Sequence, residues 1–335
     1  MTLKKWAAAL AACLGLFAHA GEVQVKEAIA TEMRTAYARS DYRAIEDRYA
    51  SALARSERLP SGMFVASEIR RSLMPEQTSI LNVTDPDGHW GPIERKLSDW
   101  SAKFPQSTLA SVVLARTYLA HGWTWRGGGY ARTVPADAAA KVEFYAQRAY
   151  ETLMAREKAG RKDPYWYVEM INIARIQGWK PDQFFGLVQE AIQAFPQNYD
   201  IYIITGLRLQ PRWGGSVEAF AGLADHAVQQ TRKQEGESLY ARLYAELGDG
   251  LDVELSDPSI DWKRIRAGFE DILKRYPDNW NVNQYARMAC AARDQATARR
   301  LLLRMKGDVE SAVWTDRAMY LRCLQAAGLK REDLQ

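Results

Sequence analysis

The sequence predicts an all-α fold, an α-solenoid of antiparallel helix pairs, and the prediction rests on a recurring helix ending and the stripe behind it. An apolar helix face closes on an aromatic residue, a proline and a capping residue three times: Phe104-Pro105-Gln106-Ser107, Phe195-Pro196-Gln197-Asn198 and Tyr276-Pro277-Asp278-Asn279. Counting back from each aromatic, the residues 4 before are Trp100, Ala191 and Ile272. Those 7 before are Leu97, Val188 and Phe269, and those 11 before are Ile93, Phe184 and Ile265, all apolar. These offsets share one stripe of an α-helix, whereas a strand needs even spacing. Proline ends the helix, and Ser107, Asn198 and Asn279 are placed to cap the next one by accepting a backbone N–H.

A third observation sets the size of the unit. Asp163-Pro164 opens a helix through Trp166, Met170, Ile173 and Ala174 to Gly178, Lys180-Pro181-Asp182 makes a turn, and the next helix runs to Phe195. Pro164 and Pro196 lie 32 positions apart, a TPR-like spacing. The three endings are 91 and 81 residues apart, room for two such pairs and a longer connection. A lone pair cannot hide its apolar face, so neighbouring pairs must stack. Each large side chain buried in this way contributes about 1.5–3 kcal/mol, which outweighs weak local propensity.

Before this array, Val25 to Arg39 and Asp41 to Glu57 read as amphipathic helices, the second opened by Ser40-Asp41 and carrying Tyr42, Ile45, Tyr49 and Leu53. Pro60-Ser61-Gly62 is a turn before a helix near Met63 to Leu73. Met74-Pro75 to Gly91, with Asp85-Pro86-Asp87-Gly88, reads as a loop. Val313 to Ala327 reads as a final helix whose polar face caps the array. The expected organisation is a leader over 1–20, a helical segment over 21–73, a linker over 74–91 and a repeat domain over 92–335.

The leader reads as a secretion signal: Lys4-Lys5, an apolar stretch from Trp6 to Phe17, then Ala18-His19-Ala20 before Gly21. The alternative is a lipobox, Leu10-Ala11-Ala12-Cys13, which anchors the chain through a lipidated Cys13. The apolar run continues past Cys13 through Phe17, which favours the soluble periplasmic or secreted form. Without Lys4 and Lys5 the balance is 43 basic to 41 acidic residues, too even for a nucleic-acid surface. Cys290 and Cys323 are the other two cysteines, 33 residues apart. They read as two buried thiols in preference to a disulfide between neighbouring helices, and they make no metal cluster.

Enzyme motifs are missing: no phosphate loop, no nucleophile elbow and no paired-histidine zinc helix, with His89, His121 and His226 widely spaced. The reading is a non-enzyme without a cofactor. Two loops stand out, Trp123-Thr124-Trp125-Arg126-Gly127-Gly128-Gly129-Tyr130 and Pro211-Arg212-Trp213-Gly214-Gly215-Ser216. Glycine permits left-handed backbone that turns N–H groups toward an anion, Arg126 and Arg212 suit a carboxylate or phosphate, and Trp125, Tyr130 and Trp213 offer flat faces. The plainer reading is structural: glycines that end helices, tryptophans that fill gaps and arginines that bond helix-end carbonyls. Asp163-Pro164-Tyr165-Trp166-Tyr167 and Trp280-Asn281-Val282-Asn283 read as packing segments.

These two loop motifs, Ser40-Asp41-Tyr42, Asp163-Pro164-Tyr165-Trp166-Tyr167 and Tyr276-Pro277-Asp278-Asn279-Trp280-Asn281 together resemble an uncharacterised bacterial family, domain of unknown function 4034, which is related to TPR proteins. The resemblance implies a TPR-like fold and brings no activity or site residue. The functional expectation is an exported scaffold binding a protein or peptide partner, with a small-molecule or cell-wall glycan module built on the two loops as the alternative.

Overall fold

A computed structural model describes residues 21–74, 83–127, 135–314 and 316–334. The expected leader with Cys13, residues 75–82 of the expected 74–91 linker, and Gly128, Gly129 and Tyr130 lie outside them. The fold is all-α, with sixteen α-helices and no strand among the described residues. In order they are α1 Glu22–Ala38, α2 Tyr42–Ala54, α3 Val65–Ser72, α4 Pro86–Lys103, α5 Thr108–Arg126, α6 Ala136–Met154, α7 Glu157–Gly160 and α8 Pro164–Ile176. Then follow α9 Pro181–Ala194, α10 Tyr199–Arg208, α11 Val217–Glu235, α12 Ser238–Leu247, α13 Trp262–Arg275, α14 Asn279–Ala291, α15 Gln295–Met305 and α16 Arg317–Ala326.

Two compact units emerge, each assembled from separate stretches of chain. The first holds the stretch ending at Glu32, Glu57–Val65 and Arg232–Gln335, and the second holds Met33–Ser56 and Ala66–Thr231. This division cuts across the linear boundaries expected at 73 and 91, because tertiary contact and not sequence order gathers the helices. The helix after the loop also starts at Pro86, where Asp85 accepts the Gly88 N–H, so residues 86–91 are helical and not linker.

The three recurring endings share one backbone geometry. Phe104, Phe195 and Tyr276 close α4, α9 and α13 at φ −122°, −137° and −131° with ψ 71°, 61° and 72°, each giving its N–H to the carbonyl four residues back. All three aromatics are half-buried, while Trp100, Ala191 and Ile272 are fully buried behind them. Ser107 caps α5 through the Ala110 N–H, as expected. Asn198 stands at the cap of α10 without a side-chain bond, and at the third ending the cap is Asp278, which accepts the Trp280 N–H, while Asn279 is the first helical residue. An ionised carboxylate is the stronger acceptor at a helix N-terminus, where the helix dipole favours it.

In the second unit, α5, α8 and α10 pack against one another in succession, with α6 against α5 and α8, and α9 against α8 and α10. That staggering is consistent with a helical repeat array. Its core holds Trp100, Tyr165, Trp166, Tyr167 and Phe184, each no more than 1% exposed. In the first unit α12 packs on α13, α13 on α14, and α14 on both α15 and α16. The turn at Ser61 is held there by the Glu22 carboxylate on its N–H, and by Arg242 and Asn281 on its carbonyl. Cys290 of α14 and Cys323 of α16 form a disulfide, with Cα atoms 5.6 Å apart, which corrects the preferred reading of two free thiols. The last helix begins at Arg317 and not at Val313, because Asp316 supplies the N-cap and Trp314 is held elsewhere by Asn283.

Candidate functional site

The two glycine loops differ from their anion-nest reading. Trp123, Trp125 and Arg126 belong to the last turns of α5, and Gly127 is its C-cap at φ 68°, donating its N–H to the Trp123 carbonyl. Arg126 lies over the Trp123 ring at 4.6 Å and reaches the Gly127 carbonyl at 3.3 Å. Lys141 covers one face of Trp125 at 4.7 Å. Arg126 therefore does what arginine does at a helix C-terminus, where carbonyls lack partners.

At the second loop, Pro211–Trp213 form one 3-10 turn and Gly214 is left-handed at φ 79°. The N–H groups of Trp213, Gly214 and Gly215 donate inward, to the carbonyls of Gln210, Pro211 and Gln210. None is left to cradle an anion, so the glycines serve the turn itself. Gly215 is required by close approach: a Cβ there would sit 1.9 Å from the Leu209 carbonyl oxygen, a backbone atom that no rotamer change can move. Gly215→Ala is expected to lower stability by about 1–3 kcal/mol in denaturant titration, as overpacking does, and an unchanged midpoint would show that the loop tolerates a shift.

Arginines and not glycines give this corner its chemistry. Arg212 is exposed and donates from Nε to Gln210 at 2.9 Å, and Arg208 of α10 donates to the Trp213 carbonyl. Arg175, in the last turn of α8, lies over the Trp213 ring at 4.4 Å and donates to Asn172 at 2.8 Å, and Asn172 donates to Glu169 at 3.0 Å. Glu169, buried on α8, also faces Arg70 of α3 at 3.5 Å and Arg116 of α5 at 3.8 Å. Burial lowers the Arg175 guanidinium to about 10, and Arg116, Arg212 and Arg208 push the same way while Glu169 opposes. Arg116, Arg175 and Arg208 thus gather on α5, α8 and α10, Arg70 of α3 joins them through Glu169, and Arg212 extends the cluster. An arginine keeps its charge at neutral pH even when depressed this far, so cations outnumber acids here, with Glu169 shared between Arg70 and Arg116.

A second polar network escaped the sequence reading. His121 of α5 is 2% exposed; its Nδ1 lies 2.7 Å from Glu94 and its Nε2 3.1 Å from Asp87, both carboxylates of α4. Tyr145 of α6 stacks on the imidazole at 3.9 Å and donates its hydroxyl to Asp87 at 3.0 Å. Burial, then the Asp87 hydrogen bond, holds the Tyr145 phenol well above its ordinary range. The network pins α4, α5 and α6 together. Hairpin register was the available signal, since Asp87 and His121 lie 18 and 16 residues on either side of Pro105.

Arg126 and Arg212 thus end in different surroundings: the structure joins Arg212, Trp213, Gly214 and Gly215 to a cationic cluster, and gives Trp125, Arg126 and Gly127 a helix-end role. Among the described residues no group of three or more His, Cys, Asp or Glu is placed to hold a metal ion. No helix among them is long and apolar enough to cross a membrane. No protein family, curated protein or solved structure matches the chain.

Proposed function

We propose that the protein is an exported helical-repeat scaffold that binds an acidic segment of a partner protein or peptide on the arginine face of α3, α5, α8 and α10. One observation carries the reading: Arg175 lies over the Trp213 ring, while Arg208 donates to the Trp213 carbonyl and Arg212 stands in the same turn. Guanidinium groups pair with carboxylates through two parallel N–H donors, and one that is partly withdrawn from water gains more from such a partner than an exposed one. The secretion-type leader and a disulfide suited to an oxidising compartment support export. The glycan alternative would draw on the faces of Trp123, Trp125 and Trp213, and a cation covers one face of each.

The test is fluorescence anisotropy with a labelled hexaglutamate peptide and its hexaglutamine counterpart. Hexaglutamate is expected to bind, with affinity falling as salt rises, and hexaglutamine is not. Arg175→Gln combined with Arg212→Ala is expected to weaken hexaglutamate binding roughly tenfold or more, the scale of a lost charge-assisted pair, while Arg126→Ala leaves it unchanged. A folded double variant that binds as tightly as the parent would remove the arginine face from the proposal.

A further inference from the structure

The first unit holds a pocket of about 600 Å³ between the end of α15, α16 and the chain's last turn. Its size lies within the range of small-molecule sites. Its apolar wall is Trp314, Tyr320 and Leu334, each less than 10% exposed, with the two aromatic rings edge to face at 5.1 Å. At its rim are three exposed cations, Lys306, Arg317 and Arg331, and one acid, Asp316. That acid is already engaged, because its Oδ1 accepts the Met319 N–H as the N-cap of α16.

Two independent devices fix the walls. Asn283 of α14 is fully buried and makes all four bonds its amide allows: it donates to the Asn279 and Asp308 carbonyls, and accepts from the Glu310 N–H and the Trp314 indole N–H. This holds the segment from Asp308 to Trp314 against α14. The Cys290–Cys323 bond then ties α14 to α16, which carries Arg317 and Tyr320. A site whose walls are set before the ligand arrives spends less binding energy on ordering.

We infer that this pocket binds a small aromatic carboxylate, its ring on Trp314 and Tyr320 and its charge among Lys306, Arg317 and Arg331. Flat aromatic walls select a flat apolar body, and a rim with three cations to one committed acid selects a negative group. The pocket lies in the other unit from the arginine face, so the inference does not depend on the partner proposed above.

The experiment is calorimetric titration of the intact protein with 1-naphthoate, and with 1-naphthalenemethanol as the neutral match. One saturable site is expected for naphthoate, with the alcohol roughly tenfold weaker or more, the effect of a lost charge-assisted contact. Arg317→Gln with Arg331→Gln, both exposed and therefore harmless to folding, is expected to reduce naphthoate affinity to that of the alcohol, while Arg175→Gln leaves it unchanged. Equal affinity for alcohol and acid, full affinity in the double arginine variant, or no saturable binding at all would each overturn the assignment. Should the Arg175→Gln variant lose naphthoate binding instead, the ligand belongs to the arginine face and this pocket is not its site.

Discussion

Breaking the Cys290–Cys323 bond is expected to destabilise the first unit by about 3–4 kcal/mol. The bond closes a loop with a sequence separation of 33 residues, and the chain-entropy cost it removes from the unfolded ensemble for a loop of that length is of this size. The loop contains all of α15 and the Asp308–Trp314 segment. Denaturant unfolding with and without reductant, and of Cys290→Ser with Cys323→Ser, measures the difference. The double variant and the reduced protein should agree, since both remove the same restraint. Titration of the denatured, unreduced protein should find neither cysteine free, and two reactive thiols would show that the helices pack without the bond. Because the bond also fixes α16 against α14, reduction should weaken naphthoate binding before the unit unfolds.

What the sequence made legible was local, and the reason is physical. The aromatic–proline endings specify a backbone, since proline forbids helix continuation and the aromatic before it is pushed out of the helical region. Phe104, Phe195 and Tyr276 accordingly adopt nearly the same φ and ψ. Buried stripes were equally legible, because helical period alone puts Trp100, Val188 and Phe269 on inward faces. The arginine face was not, since Arg70, Arg116, Arg175 and Arg208 follow no common period and meet only through the packing of α5, α8 and α10 and the Arg70–Glu169 pair. Of the two readings open for the glycine loops, the plainer structural one describes their backbone. Gly214 and Gly215 are needed for a left-handed turn and a close backbone approach, and the N–H groups expected to face a ligand are spent inside the turn. His121 looked isolated for a related reason: its partners Glu94 and Asp87 lie on the other arm of a hairpin, far from it in sequence.

Replacement of Asp163 by alanine is expected to cost about 3–5 kcal/mol, the largest effect of any single side chain considered. Asp163 is 3% exposed and caps α8 through the Tyr165 N–H at 2.8 Å. It also accepts the hydroxyls of Tyr49, at 3.0 Å, and Thr108, so one carboxylate joins α2, α5 and α8. Alanine leaves two buried donors, the Tyr49 hydroxyl and the Tyr165 N–H, and the part-buried Thr108 hydroxyl without their acceptor, each buried one costing about 1–3 kcal/mol, partly offset because a buried charge is also removed. Asparagine separates these contributions. Its amide oxygen keeps the cap, and the two hydroxyls can turn to accept from its amide nitrogen, so Asp163→Asn is expected to cost far less than alanine. The pH dependence has a definite sign. Burial raises the Asp163 carboxyl above its ordinary value, against the opposing hydrogen bonds of Thr108, Tyr165 and Tyr49 and the charge of Arg70. The folded state therefore holds this proton to higher pH than the unfolded chain, where a carboxyl titrates near ~3.9. Its contribution to stability is complete below that value and declines as pH rises through the folded pKa. Asparagine has no such decline, so the stability of Asp163→Asn relative to the parent should improve from about pH 4 upward and then level off. Denaturant midpoints measured across that range decide the matter: a variant that instead loses ground as pH rises would mean that ionised Asp163 is stabilised by its hydroxyl donors and Arg70 more than burial penalises it.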